Sequence, residues 1–144
     1  FGDILFKKYI LNLLLDDEDD IVIAVDSLLS RRTAGKKSDF VFCSAQNDLH
    51  PFDNPVYLKS MNFSEPDESY NGEWIGMLKL SDKGTKLVRD FLKENINAPN
   101  FSSLQIPDML NAFVSKGINV KVQYIHGHWL DVDDVVDLSL ANNF

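Results

Sequence analysis

One cysteine among 144 residues cannot close a disulfide within the chain. Cys43 lies in the apolar run Phe-Val-Phe-Cys-Ser, which points to a buried, inert thiol. Basic residues are also scarce, 14 against 22 acids for a net charge of -8, so no surface of clustered Lys and Arg for nucleic acid is expected. A nucleotide substrate is still allowed, because a bound divalent cation reverses the local charge. No apolar run is long enough to cross a bilayer, and Phe1-Gly2-Asp3 shows neither a basic start nor a cleavage site. The expectation is a cytoplasmic protein with no membrane partner. Gly-x-Ser-x-Gly, the P-loop and Gly-x-Gly-x-x-Gly are all missing. Cys43, His50, His126 and His128 do not have the spacing of a zinc site. Internal repeats and low-complexity segments are absent too.

What is present is an ordinary globular composition, 44% hydrophobic and 25% charged, in a length that suits one compact domain. Residues 4–15, apolar except for Lys7, Lys8 and Asn12, read as an amphipathic helix with Asp3 at its N-cap. Ile21-Val-Ile-Ala-Val25 is a continuous β-branched run, the pattern of a strand buried on both faces, and Asp26 ends it. The polar stretch 30–38, with Arg31, Arg32, Lys36 and Lys37, reads as a solvated connection. Strands follow at 40–44, 56–61 and 72–80, the last with Gly76 inside it as a mark of a bulge or a close approach. Two helices come next. One is capped by Ser81 or Asp82 and runs to about Asn95; the other spans 103–116, with Pro107 in its first turn and Gly117 as a left-handed C-cap. A strand at 119–125 and a short last helix complete an α/β sandwich with a mixed sheet.

The chemistry concentrates after that strand, in His126-Gly-His-Trp-Leu-Asp-Val-Asp-Asp134. Asp131 and Asp133, two apart, project from one face if the extended geometry persists. Paired carboxylates completed by phosphate oxygens suit Mg²⁺, which rarely has an all-protein cage. Asp134 and Asp137 are explained by the helix they start, one as its cap and the other in its first turn. Spacing alone favours surface-turn acids for Asp131 and Asp133, because short Asp clusters at helix starts are common. Trp74 and Trp129 offer cation–π faces to an ammonium-bearing substrate or serve as core, and Lys59 and Lys79 either neutralise phosphate or are solvated.

Three stretches taken together, Phe1-Gly-Asp-Ile-Leu-Phe6, Gly72-Glu-Trp-Ile-Gly76 and Gly127-His-Trp-Leu-Asp-Val-Asp133, resemble the second half of the sugar-phosphate and phosphocholine-type nucleotidyltransferases. The resemblance is greatest to the cytidylyltransferase domain fused to phosphoenolpyruvate phosphomutase in phosphonate biosynthesis. It implies a Rossmann-like nucleotidyltransferase fold with a mixed sheet, of which residues 1–144 are the C-terminal, acceptor-binding portion. It also implies Mg²⁺ held by Asp3 with Asp131 or Asp133, CTP as the nucleotide, and a phosphonate or phosphate acceptor. Glu73, Trp74, Lys59, His128 and Trp129 are the expected substrate contacts, with Glu73 suited to an aminoalkyl phosphonate or a choline-like cation.

The other readings are a phosphocholine or sugar-phosphate nucleotidyltransferase, and a non-catalytic α/β module whose acids only cap helices. They separate on whether Asp3 converges with Asp131 and Asp133 on one cleft. Because the family's Gly-rich phosphate loop lies upstream of the Gly-Asp motif, this chain alone is expected to be inactive. Purified chain given CTP, Mg²⁺ and an aminoalkyl phosphonate should release no pyrophosphate; detectable release overturns that expectation.

Overall fold

The structure is a computed structural model, and it describes residues 3–28, 37–46, 54–65, 67, 69–132, 135–142 and 144. The elements are β1 (Ile4–Phe6), α1 (Lys8–Leu15), β2 (Ile21–Asp26), β3 (Ser38–Cys43), β4 (Val56–Ser64), β5 (Gly72–Leu80), α2 (Asp82–Asn95), α3 (Ile106–Ser115), β6 (Lys121–Ile125), β7 (Trp129–Asp131) and α4 (Val135–Ala141). Five strands close into a barrel in the order β2-β5-β3-β4-β6, while β1 and β7 form a separate two-stranded ladder. Among the described residues of the barrel, β2 and β6 pair in parallel and the other neighbours antiparallel. The sheet is therefore mixed, as the alternation of elements suggests.

The β-branched run of β2 is buried along its whole length, and its two faces explain why. Ile21, Ile23 and Val25 join Trp74, Phe91 of α2, and Leu110 and Phe113 of α3 in the larger core. Val22 and Ala24 face the other way, against Ile10 and Leu14 of α1, Ile75 and Ile125. A strand covered on both sides needs apolar residues at every position, because neither face meets water.

Residues 4–6 depart from the helix expected there. Ile4, Leu5 and Phe6 pair with Asp131, Leu130 and Trp129, and α1 starts only after Lys7. Asp3 is thus not a helix N-cap; Lys7 holds that position, without a side-chain cap. A ladder partner more than 120 residues away outweighs local helix propensity here. Other punctuation is as expected. Ser81 Oγ caps α2 by accepting from Gly84 N at 3.1 Å, Pro107 sits in the first turn of α3, and Gly117 has φ 75°. Gly76 has φ 78°, in the stretch of β5 where the β2–β5 register shifts between Ile23 and Val25. The bulge is bridged by the Trp74 indole, which donates to Met77 O at 3.0 Å.

A polar cluster pins the opposite end of the parallel pair. Asp17, with its side chain 2% exposed, pairs with Lys121 at 3.0 Å and accepts from Gln123, both on β6. Lys121 also meets Asp19 at 2.9 Å, and Lys79 of β5 donates to Asp17 O and Asp19 O at 2.6 and 2.8 Å. Lys79 thereby ties a loop to the sheet. Burial by itself would raise the Asp17 pKa, but the Asp19 N–H, Lys121 and Gln123 outweigh it and hold the carboxyl below its usual range. A carboxyl lowered in the folded state adds stability that is present above its unfolded pKa and lost as pH falls through the native one. Asp17→Asn should therefore cost about 1.5–3 kcal/mol at neutral pH, the range for a hydrogen-bonded charge. The difference from the wild type in urea melts should shrink below pH 4; a difference independent of pH would contradict this role.

Candidate functional site

Because β2 and β6 run parallel, Asp26 and Ile125 finish side by side. Ser27 N donates back to Ile125 O at 3.1 Å and keeps the two ends together. The crevice beyond such C-terminal strand ends is the usual place for chemistry in α/β proteins. From Ile125 the chain passes His126 and enters two consecutive left-handed residues, Gly127 at φ 69° and His128 at φ 62°. The second is uncommon for a residue with a side chain. The reversal starts β7, which returns alongside β1. Its outer side is held by the start of α1: Lys7 N donates to His128 O at 3.0 Å, and Tyr9 Oη lies 3.0 Å from His128 Nδ1.

The β1–β7 ladder brings together two acids from opposite ends of the sequence. Asp131 pairs with Ile4, and Val132 N donates to Asp3 O at 2.9 Å. A regular pleat would send Asp3 and Asp131 to opposite faces. Asp3 lies one residue outside β1. Asp3 is exposed and Asp131 half-buried. Asp133 and Asp134 lie outside the described residues, and Asp137 falls in the first turn of α4. Among the described residues no group of three or more His, Cys, Asp or Glu could by itself hold a metal ion. Two hard carboxylates fit Mg²⁺, which takes few protein ligands alongside phosphate and water.

The other expected contacts divide by burial. Glu73, 3% exposed, stands opposite Asp26 in the β2–β5 register and accepts from Ser38 Oγ. Trp74 is part of the larger core. His128 is exposed at the reversal, and Trp129 is half-buried with its indole donating to Asp26 Oδ2 at 2.8 Å. Lys59 is exposed on β4, where its charge is felt by Cys43.

Two residues here escape sequence reasoning. Asp26, 5% exposed, takes Leu28 N and Gly127 N on Oδ1, each at 3.0 Å, besides the indole on Oδ2. Its signal is an acid on the same buried face as Val22 and Ala24, legible only once that face is known. Tyr9 contacts His128 edge-on, with ring centroids 5.6 Å apart. Its hydroxyl pKa is raised by burial and then by the charge of Asp26. Nothing in the spacing of the sequence singles it out.

Cys43 is a free, buried thiol. Burial raises its pKa to about 11, against smaller opposing effects of Tyr124 and Lys59.

Comparison with solved structures gives a partner for the fold. Over 99% of its length the chain matches 51% of a structure described as a glucose-1-phosphate thymidylyltransferase from Bacillus anthracis, in complex with a sucrose. The TM-score is 0.66 and the identity 17%. A nucleoside-diphosphate-sugar pyrophosphorylase from Vibrio cholerae matches over 99% of this chain and 53% of its own, at TM-score 0.49 and 10% identity, too distant to carry weight. The chain spans about half the length of both. No protein-family model matches the sequence, nor does any curated protein. Fold and comparison agree: the chain is α/β and Rossmann-like, similar to a nucleotidyltransferase structure along nearly its whole length.

The Cys43 thiol supplies the check on this region. In native protein at pH 8 it should react with a disulfide reagent only as fast as the protein opens, and at full rate in urea. Fast native labelling would show that the thiol is exposed.

Proposed function

We propose that this chain is the acceptor-binding portion of a Mg²⁺-dependent nucleotidyltransferase, transferring CMP from CTP to a phosphonate such as an aminoalkyl phosphonate. The parent in this reading is a phosphoenolpyruvate phosphomutase-linked enzyme of phosphonate biosynthesis. The observation that carries the proposal is the pairing of Ile4–Phe6 with Trp129–Asp131, extended by Val132 N donating to Asp3 O, which sets Asp3 and Asp131 on neighbouring stretches of chain. Helix-capping acids would need no such pairing. The CTP and phosphonate assignments rest on the resemblance of the three motifs, and the fold likeness supports the transferase class.

In the reaction an acceptor oxygen attacks the α-phosphorus of the triphosphate, the bond to the bridging oxygen breaks, and pyrophosphate leaves. Mg²⁺, when bound, neutralises charge on the phosphates. Asp3 and Asp131, with Asp133, would hold it. The remaining work is positioning. His128 and Lys59, both exposed, meet a ligand directly, as does the open part of Trp129. Glu73 is buried opposite Asp26 on β5, whereas Trp74 packs in the larger core on the other face of the sheet. A sugar phosphate is the second acceptor class, favoured by the description of the Bacillus anthracis structure as a glucose-1-phosphate thymidylyltransferase.

The metal assignment is tested with Mn²⁺ as a paramagnetic probe. Added to the chain, it should broaden the backbone amide signals of Ile4, Asp131 and Val132 first, and Asp3→Asn or Asp131→Asn should abolish that broadening. Broadening centred on the acidic loop around Asp17 and Asp19, or unchanged in both variants, would sink the proposal.

A further inference from the structure

Asp26 ends β2 on the α1-facing side, between Glu73 on β5 and Ile125 on β6. An acid buried to 5% exposure in such a place is unfavourable unless its lone pairs are satisfied. Three N–H donors do so, and their origin is informative. Leu28 N belongs to the segment leaving β2, whereas Gly127 N and the Trp129 indole flank the left-handed reversal after β6. The carboxylate therefore grips the reversal at both ends and leaves His128 outside, bonded to Lys7 N and Tyr9.

A non-glycine residue in the left-handed region costs on the order of 1 kcal/mol or more, so His128 stays there only because its neighbours hold it. Trp129 is the first residue of β7, and Asp131 is two residues further along the same strand. A three-residue strand in a two-stranded ladder has little stability of its own. Its position is set by what anchors its ends.

We propose that Asp26 is a positioning residue: through the Trp129 indole it sets the entry of β7 and so places Asp131 beside β1. The metal consequence rests on the function proposed above; the effect on the ladder does not.

Asp26→Asn separates the bonds. The amide oxygen can still accept from Leu28 N and Gly127 N, while its NH₂ then faces the indole N–H, donor against donor. Trp129→Phe removes the same bond from the other side and keeps an aromatic ring. Hydrogen exchange should show the amides of Lys7 and Val132, whose acceptors are His128 O and Asp3 O, losing roughly tenfold protection in either variant. Val22 and Ile23 in the barrel should be unchanged. The double variant should lose clearly less than the sum of the two single losses, because both substitutions remove the same bond.

Mn²⁺ affinity at Asp131 should fall about 10–100-fold in both single variants, as for outer partners of metal ligands. Equal loss of protection in ladder and barrel would make Asp26 a general stabiliser and overturn the proposal. So would an unchanged ladder, or additive effects in the double variant. If the wild type binds no Mn²⁺ at Asp131 while ladder protection falls as expected, the metal reading fails and the positioning role stands.

Discussion

The parallel pairing of β2 with β6 is the constraint on which the other features depend. β2 otherwise touches β5, and β6 otherwise touches β4, so this contact closes the barrel. It also sets two strand ends next to one another with the same direction. An antiparallel pair there would place a strand start beside Asp26, and no reversal carrying Gly127 and Trp129 would lie within its reach.

Each end of that pair is tied by one buried aspartate. At the start, Asp17 holds Lys121 and Gln123 of β6 to the loop that leads into β2. At the finish, Asp26 holds the residues that follow β6 to the end of β2. The two differ in chemistry. Asp17 faces a cation and keeps a largely buried charge pair; among the described residues Asp26 takes neutral N–H donors, which fix direction and distance closely. The second arrangement suits a place where geometry matters more than attraction.

Much of the scaffold was legible from local pattern. The run Ile21–Val25 announces a strand covered on both sides, Ser81 announces the start of α2, and Gly117 the end of α3. Gly76 announced the irregularity in β5, though not that the Trp74 indole would bridge it. The error at residues 4–6 is instructive. Their composition satisfies a helix as well as a strand, and the choice was made by Trp129–Asp131, far along the chain. Asp3 and Asp131 were singled out through their motifs, and the structure sets their backbones beside one another. Asp26 was not, because an acid after an apolar run reads as a strand terminator unless the donors facing it are known.

The sequence by itself determined which segments are apolar and with what period, hence the strands, the helices and the acids at their ends. Those follow from short-range sterics and the alternation of side chains, which need no distant partner. Only the tertiary structure decided that β1 is a strand, that Asp131 pairs with Ile4 next to Asp3, and that Asp26 faces the Trp129 indole. These contacts span roughly a hundred residues or more. Their free energy comes from burial and hydrogen bonds formed when the barrel closes, which no local window of sequence contains.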